Sequence, residues 1–356
     1  MAYTTIDDPT SFFNNILWTG NSGTQSITGL GFKPNWVWAK VRADNNNTNE
    51  NDHMVADSVR GTTKFVHTNN TDVEETNANT FTSFDSDGFS LGNKAELNSN
   101  SNTYVAWCWK VNDTTVTNSS GNISATVSVN DTIGVSIISY TGNGSNAQSI
   151  GHSLSAKPKI YVVRARDYSS GGGWQMFVEE LGAGGRMQLN TNEAFDTSST
   201  TFGNTAPTSS LLYVGANSAT DSSTNKQNAT YICYALRPVR GFSAFGTYKA
   251  NSSTNGPFVH TGFKPAFLLT KTTDATYHWN INDNKRNTFN VVDKRLYPSQ
   301  NSEEATSSNY NIDFLSNGFK IRTSHVSINN SGDDVMYWAF AESPFVNSSG
   351  VPTNAR

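Results

Sequence analysis

Tyr104-Val-Ala-Trp-Cys-Trp109 decides the fold. As a strand it puts Val105, Trp107 and Trp109 on one face and Ala106 and Cys108 on the other. Both faces are apolar, so the strand is buried on both sides. Small residues on one side and bulk on the other are what the central strand of a two-layer sandwich requires. Two later stretches divide in the same way. Tyr231-Ile-Cys-Tyr-Ala-Leu236 has Cys233 and Ala235 against Ile232, Tyr234 and Leu236. Tyr337-Trp-Ala-Phe-Ala341 has Ala339 and Ala341 against Trp338 and Phe340.

Upstream of each stretch stands a second recurring motif. Thr28-Gly-Leu-Gly-Phe-Lys-Pro34 and Thr261-Gly-Phe-Lys-Pro265 are near copies, and Leu154-Ser-Ala-Lys-Pro158 is a degraded one. The Pro-to-Tyr separations hardly vary (104−34=70, 231−158=73, 337−265=72). A base follows six residues after each Pro: Lys40, Arg164 and Lys271. Such register over three copies describes one module duplicated twice. Each base lies on an apolar strand, which predicts an edge or snorkelling position.

The remaining apolar runs are short, β-branched and aromatic: Trp36–Val41, Val135–Tyr140, Ile160–Val163 and Phe267–Thr270. Turn clusters separate them at Thr19–Gly23, Thr141–Gly144, Ser169–Gly173 and Ser316–Gly318. Asp85-Ser-Asp-Gly-Phe89 and Leu315-Ser-Asn-Gly-Phe319 read as matching hairpin turns in which Gly supplies a positive φ. Short helices are expected only at Thr71–Glu75 and Ser302–Ala305. The fold class is therefore all-β: three tandem antiparallel β-sandwich modules, jelly-roll-like. They span residues 1–111, 133–238 and 239–345, with a linker and hairpin at 112–132 and an extended tail at 346–356.

Bulk properties narrow the function. The net charge is −4, and the 25 Lys and Arg residues are scattered. No basic stripe offers itself to phosphates, so nucleic acid is not an expected partner. No apolar run approaches the ~20 residues of a membrane span. The first nine residues lack the basic start and apolar run of a signal peptide, so synthesis in a cytoplasm is expected. Cys108 and Cys233 stand where other copies carry Ala, and they read as small buried residues.

No enzymatic constellation emerges. There is no Gly-x-Ser-x-Gly elbow, phosphate-binding glycine loop, Cys-x-x-Cys or zinc-type histidine pair. No catalytic residue, cofactor or metal is assigned. Asp85, Asp87 or Asp333 and Asp334 could hold calcium, but the spacing of an EF-hand loop is missing. Asp85-Ser-Asp-Gly is matched by Leu-Ser-Asn-Gly, which has no carboxylate, so a turn explains both copies. The candidate ligand-binding residues are the matched pairs Asp57/Arg60 and Asp283/Arg286, and Trp18 with Asn21 and Tyr140 with Asn143 beside Thr-Gly-Asn turns. The ion pairs either fix a loop or form an Arg pocket. The aromatics either stack on sugar or cap the core.

The motifs also carry a resemblance. Met1–Pro9, Phe84–Gly92, Tyr104–Lys110, Tyr140–Gly144 with His152 and Pro158, Phe314–Lys320 and Ala339–Phe345 resemble a family of tailed-bacteriophage virion proteins common among marine phages. Members are tail-fibre or virion structural proteins, some similar to concanavalin-type or laminin-G-type sandwiches. The resemblance spans essentially the whole chain and brings no catalytic residues. It implies a non-enzymatic virion-surface protein of tail-fibre or appendage type that contributes to attachment to host-surface glycan, with repetition giving avidity. It further implies other virion proteins as partners, assembly as a homo-oligomer, and a place on the virion surface. The rival reading is a head or tail decoration protein bound to the shell, favoured by the lack of heptads or a shaft and by an arm-like tail. A glycan depolymerase would need a carboxylate pair that the sequence does not offer.

Overall fold

The computed structural model describes residues 3–48, 51–169, 172–197, 200–215 and 224–353. Met1, Ala2, the middle of the Ser169–Gly173 turn and the last three residues of the tail lie outside these. The structure is all-β, built from antiparallel sheets. Three of the sheets share one four-strand order. The first contains β1 (Phe13–Thr19), β2 (Trp36–Ala43), β3 (Met54–Asp57) and β4 (Thr103–Trp109), ordered β1-β4-β2-β3. The second contains β5 (Val135–Thr141), β6 (Ile160–Ala165), β7 (Gln175–Val178) and β8 (Thr230–Leu236), ordered β5-β8-β6-β7. The third contains β9 (Ser243–Lys249), β10 (Phe263–Thr272), β11 (Asn280–Asp283) and β12 (Asp334–Pro344), ordered β9-β12-β10-β11. We call the three regions lobes 1, 2 and 3.

The two-faced strands β4, β8 and β12 lie inside their sheets and separate two kinds of core. Their small faces turn to a smaller sheet of the same lobe and close a private core. In lobe 1 this core contains Ala106 and Cys108, in lobe 2 Cys233 and Ala235, and in lobe 3 Tyr337, Ala339 and Ala341. The large faces turn away from their own lobes. Trp107, Trp109, Tyr234, Leu236, Trp338 and Phe340 belong to one continuous core shared by all three lobes. Trp36 bridges it, stacked on Trp109 at 4.0 Å and on Tyr234 of lobe 2 at 4.4 Å. Each sheet is thus a wall between a private core and a common one, which is why both of its faces are apolar.

The pairing register corrects the alignment of the third copy. Lys40 pairs with Val105, Arg164 with Ile232 and Lys271 with Met336. The counterpart of Tyr104 and Tyr231 is therefore Val335, and Tyr337 stands where Ala106 and Cys233 stand. The shift is two residues, so each side chain keeps its face.

The three bases are not at edges and do not snorkel; all are fully buried. Each donates to backbone carbonyls, although Arg164 Nε has no partner. Lys40 donates to Val41 O (3.1 Å) and to Asn301 O of lobe 3 (3.3 Å). Arg164 donates to Gly172 O and to Asp72 O of lobe 1. Lys271 donates to Thr272 O (2.5 Å) and Ala275 O (3.0 Å).

Burial pulls the Lys40 ammonium down to about 7 against the opposing pull of Asp52, Glu303 and Asp44, and pulls Lys271 down to about 8. An unfolded lysine holds its proton to about pH 10.4. Between pH 7 and 10 the unfolded state binds more protons, so stability rises with pH in that window and the contribution ceases below pH 7. Lys40 alone is expected to add about 2 kcal/mol between pH 7 and 9. Urea midpoints should climb more steeply over that range in the wild type than in Lys40→Met; equal slopes would show that Lys40 does not titrate there.

Other local expectations are revised. Thr71–Glu75 and Ser302–Ala305 are not helical; instead Glu75–Thr76 and Ala305–Thr306 are short strands paired beside Lys64 and Lys294. The four-residue helices are at Ala95–Asn98 and Val326–Asn329. Both hairpin turns form, but only Gly88 has a positive φ, 143°. What the two glycines share is close approach. A Cβ at Gly88 would lie 2.0 Å from Ile27 O, and one at Gly318 2.0 Å from Val259 O. Residues 112–132 contain a hairpin, Val116–Asn118 with Ala125–Asn130, which extends the lobe 2 sheet beyond β5. The tail is not an extended arm. Residues 346–353 fold back, with Asp7 accepting from Ser348 N at 2.6 Å and Thr353 N donating to Phe345 O at 3.1 Å.

Candidate functional site

The residues singled out from sequence lie in the framework. Trp18 and Tyr140 are buried, stacked on Tyr104 (5.1 Å) and Tyr231 (4.9 Å). Trp18 Nε1 donates to Leu97 O at 2.9 Å, and Tyr140 Oη to Thr224 O at 2.6 Å. Tyr248 of lobe 3 does the same to Ile328 O at 2.7 Å. The residue after each of these carbonyls is a buried asparagine that sequence reasoning missed: Asn98, Asn225 and Asn329. They hold the turns containing Asn21, Asn143 and Asn251. Asn98 Oδ1 accepts from Asn21 N (3.0 Å), Asn225 Oδ1 from Asn143 N (2.9 Å) and Asn329 Oδ1 from Asn251 N (2.8 Å). Asn21 and Asn143 are exposed, but their side-chain oxygens close Asx turns onto Gly23 N and Ser145 N. A signal was available: each asparagine stands six residues before the first apolar residue of its central strand (104−98=6, 231−225=6, 335−329=6).

Asp57/Arg60 and Asp283/Arg286 are buried ion pairs, each within one lobe at its seam with another. Arg60 Nε meets Asp57 Oδ2 at 2.6 Å, and Arg286 Nε meets Asp283 Oδ2 at 2.5 Å, all four side chains fully buried. Each aspartate also accepts from the neighbouring lobe, Asp57 from Tyr234 Oη (2.7 Å) and Asp283 from Trp107 Nε1 (3.0 Å). Each arginine contacts a glutamate held bidentately across the same seam, Glu74 by Arg166 and Glu304 by Arg42. Burial works against the Arg60 charge, yet Asp57, Tyr234 and Glu74 hold its pKa above the ordinary arginine value.

The third seam is apolar. Val178 and Leu181 take the places of the Asp and Arg, and Phe195 takes the place of the Glu. Phe195 N donates to Thr273 O (2.8 Å) as Glu74 N does to Arg166 O (2.6 Å) and Glu304 N to Arg42 O (2.9 Å). Here the Trp338 indole N–H, the counterpart of Trp107, has no partner.

The carboxylates in the hairpin turns are also structural. Asp87 accepts from Gly29 N (3.0 Å) and Gly31 N (2.6 Å), and these bonds hold its carboxyl below the usual range. Asp85 accepts from Ser83 and Ser90, both at 2.6 Å. One cluster of possible metal ligands exists among the described residues, Asp52, His67 and Glu96, drawn from three separate segments. Glu96 is already paired with His67 (3.0 Å) and Lys94 (2.9 Å), and Asp52 accepts from Asn69 (2.5 Å) and Asn70 (3.2 Å). Burial alone would lower His67, but the Glu96 bond and charge raise its pKa above the ordinary value. His67, Glu96 and Lys94 form an ion-pair network, with the half-buried Asp52 held beside it by amides.

One pocket departs from the pattern shared by the lobes. It opens at the end of lobe 3, with a volume of about 640 Å³, between the loop after β11 and the paired ends of β10 and β12. The loop is an insertion. Cross-strand partners on β3 and the next strand, Val55 and Val66, are 66−55=11 residues apart. In lobe 2 Met176 and Met187 are again 187−176=11 apart, but in lobe 3 Ile281 and Leu296 are 296−281=15 apart. The additional residues carry Phe289, 81 % exposed. The loop is held by its own amides. Asn290 bonds both Phe314 N (2.8 Å) and Phe314 O (2.9 Å), and Asn287 accepts from Lys294 N (2.9 Å) and donates to Asp293 (3.0 Å).

The floor is Glu342, aimed there by a β-bulge. Lys264 pairs with Ser343 and Pro265 with Ala341, which leaves Glu342 without a cross-strand partner. Lys264 Nζ donates to its Oε1 at 3.0 Å and Asn284 Nδ2 to its Oε2 at 2.9 Å.

The family model described as Domain of unknown function (DUF7483) matches residues 8–344. The chain belongs to the DUF7483 family. No curated protein matches it. The matched segment runs across β1 to β12, so the DUF7483 domain comprises the three lobes, the shared core and most of the lobe 3 pocket lining. Among the described residues, no helix is long and apolar enough to cross a membrane.

Proposed function

We propose that this DUF7483 chain is a non-enzymatic structural protein of a tailed-phage virion surface, of tail-fibre or appendage type, that contributes to attachment to host-surface glycan. The observation that carries the reading is the contrast between the interlocked body and the open pocket at the end of lobe 3. Acids repeated between lobes are consumed by arginines, hydroxyls and backbone N–H groups, while the longer lobe 3 loop carries an exposed aromatic ring at a pocket that Lys264 and Glu342 also line. Such a body positions a binding surface, and a displayed aromatic beside hydrogen-bonding groups suits recognition of sugars. The resemblance of the hairpin and closing-strand motifs to phage virion proteins supports the location.

Immunogold electron microscopy of intact phage with antibody to this chain tests the reading. Label confined to the tail or its fibres is the expected result. Label spread over the head would replace it with a decoration protein bound to the shell, and no label on the particle would overturn it.

A further inference from the structure

The lobe 3 pocket has properties that select among ligands. Its volume falls within the ordinary small-molecule range of about 300–1,000 Å³. Its lining contains one acid and one base, Glu342 and Lys264, paired with each other at 3.0 Å. The site therefore carries no net charge to offer an anionic or cationic ligand. Both side chains are about one-third exposed, at 32 % and 35 %. Neither is exhausted. Each carboxylate oxygen has one bond from within the chain and keeps a lone pair, and the ammonium keeps two of its three donors. Asn287 and Asn290 are spent on holding the loop, so they set the position of Phe289 without competing for a ligand.

An exposed aromatic ring that lines the same pocket as a carboxylate and an ammonium suits a sugar. The C–H face of a pyranose is apolar with weakly positive hydrogens, and it packs on the negative face of a phenyl ring. The hydroxyls around its edge both donate and accept, and they need both kinds of partner when desolvated. A phosphate or uronate would meet Glu342 as well as Lys264, so the paired site gives an anion no net attraction.

We propose that this pocket binds an uncharged hexopyranose unit. Phe289 stacks on the C–H face of the sugar, Glu342 accepts from its hydroxyls and Lys264 donates to them. This rests on the attachment reading above and gives that reading a site. The corresponding region of lobe 1 has the shorter connection and places Val111 where lobe 3 has Glu342, so the site belongs to lobe 3.

The test is saturation-transfer NMR on the full chain with methyl glycosides of glucose, galactose, mannose and N-acetylglucosamine, and with glucuronate as the charged comparison. At least one uncharged glycoside should receive saturation on its ring protons, and glucuronate should not. Phe289→Ala should reduce the signal at least tenfold, and Glu342→Gln should weaken affinity about tenfold. Phe289 is exposed, so its variant keeps the thermal midpoint of the wild type. No signal from any uncharged glycoside would overturn the proposal, and tail label in the immunogold experiment would still stand. A signal unchanged in Phe289→Ala would overturn the pocket assignment and leave sugar attachment to another surface. Binding of glucuronate alone would overturn the ligand class.

Discussion

Arg286→Ala is expected to destabilise the chain by about 3–5 kcal/mol, because it strands buried carboxylates. Asp283 would keep only the Trp107 indole and its own turn N–H groups, and Glu304 would keep only Arg42. Ile281 O would also lose one of its two donors, keeping Leu296 N at 3.2 Å. The chain supplies its own control. At the corresponding seam in lobe 2, Val178 and Leu181 do the same job without charge, packed against the shared core. The double replacement Asp283→Val/Arg286→Leu is therefore expected to cost far less than Arg286→Ala, as replacement of a buried pair by well-packed apolar residues often does. Its residual penalty is the Trp107 N–H left in the state that Trp338 N–H already occupies, and Glu304 left with Arg42 alone. Urea denaturation of the two variants decides the matter. If the double variant is as unstable as the single one, the seam depends on charge and the apolar seam is not its equivalent.

Asn329→Ala is expected to cost about 3 kcal/mol, since it removes several bonds to buried or half-buried backbone groups at once. Asn329 Nδ2 serves Ser253 O (2.8 Å) and Thr323 O (2.7 Å), and its Oδ1 serves Asn251 N. Asn329→Asp should not rescue. It keeps the acceptor but turns a carboxylate toward two carbonyls that need donors. A thermal midpoint for the aspartate variant close to that of the wild type would show that the carbonyls find water instead. Asn98→Ala should behave alike, because Asn98 Nδ2 serves Gly23 O (2.7 Å) and Gly92 O (2.8 Å).

The all-β class and the two-faced central strands were legible because a period of two is written directly into the sequence. Tyr104–Trp109 says that both faces are buried. It does not say what buries them, and Trp107, Tyr234 and Trp338 meet in one core only because three sheets close around it. The third alignment slipped by two because Tyr337 imitates Tyr104, while face identity survives any even shift. The buried bases were misread because apolar strands around a charge suggest an edge, whereas carbonyls such as Asn301 O arrive from a segment far along the chain. The same distance hid the seams: Arg42 and Glu304 are 262 residues apart. The pocket was hidden differently. Its four added residues are visible as 15 against 11 only after the strand pairing fixes which residues to count between, and Glu342 is exposed to the site by a bulge that no residue pattern announces.

The proposed sugar site is the lobe 3 insertion, and the seams, buried asparagines and shared core are its scaffold. Deleting residues 288–291, which restores the connection length of lobes 1 and 2, tests this most directly by saturation-transfer NMR with the glycoside that binds the wild type. A folded chain is expected, with the dispersed methyl spectrum of the shared core intact, and no transfer to the sugar. Undiminished transfer with the loop gone would contradict it, as would loss of the folded spectrum.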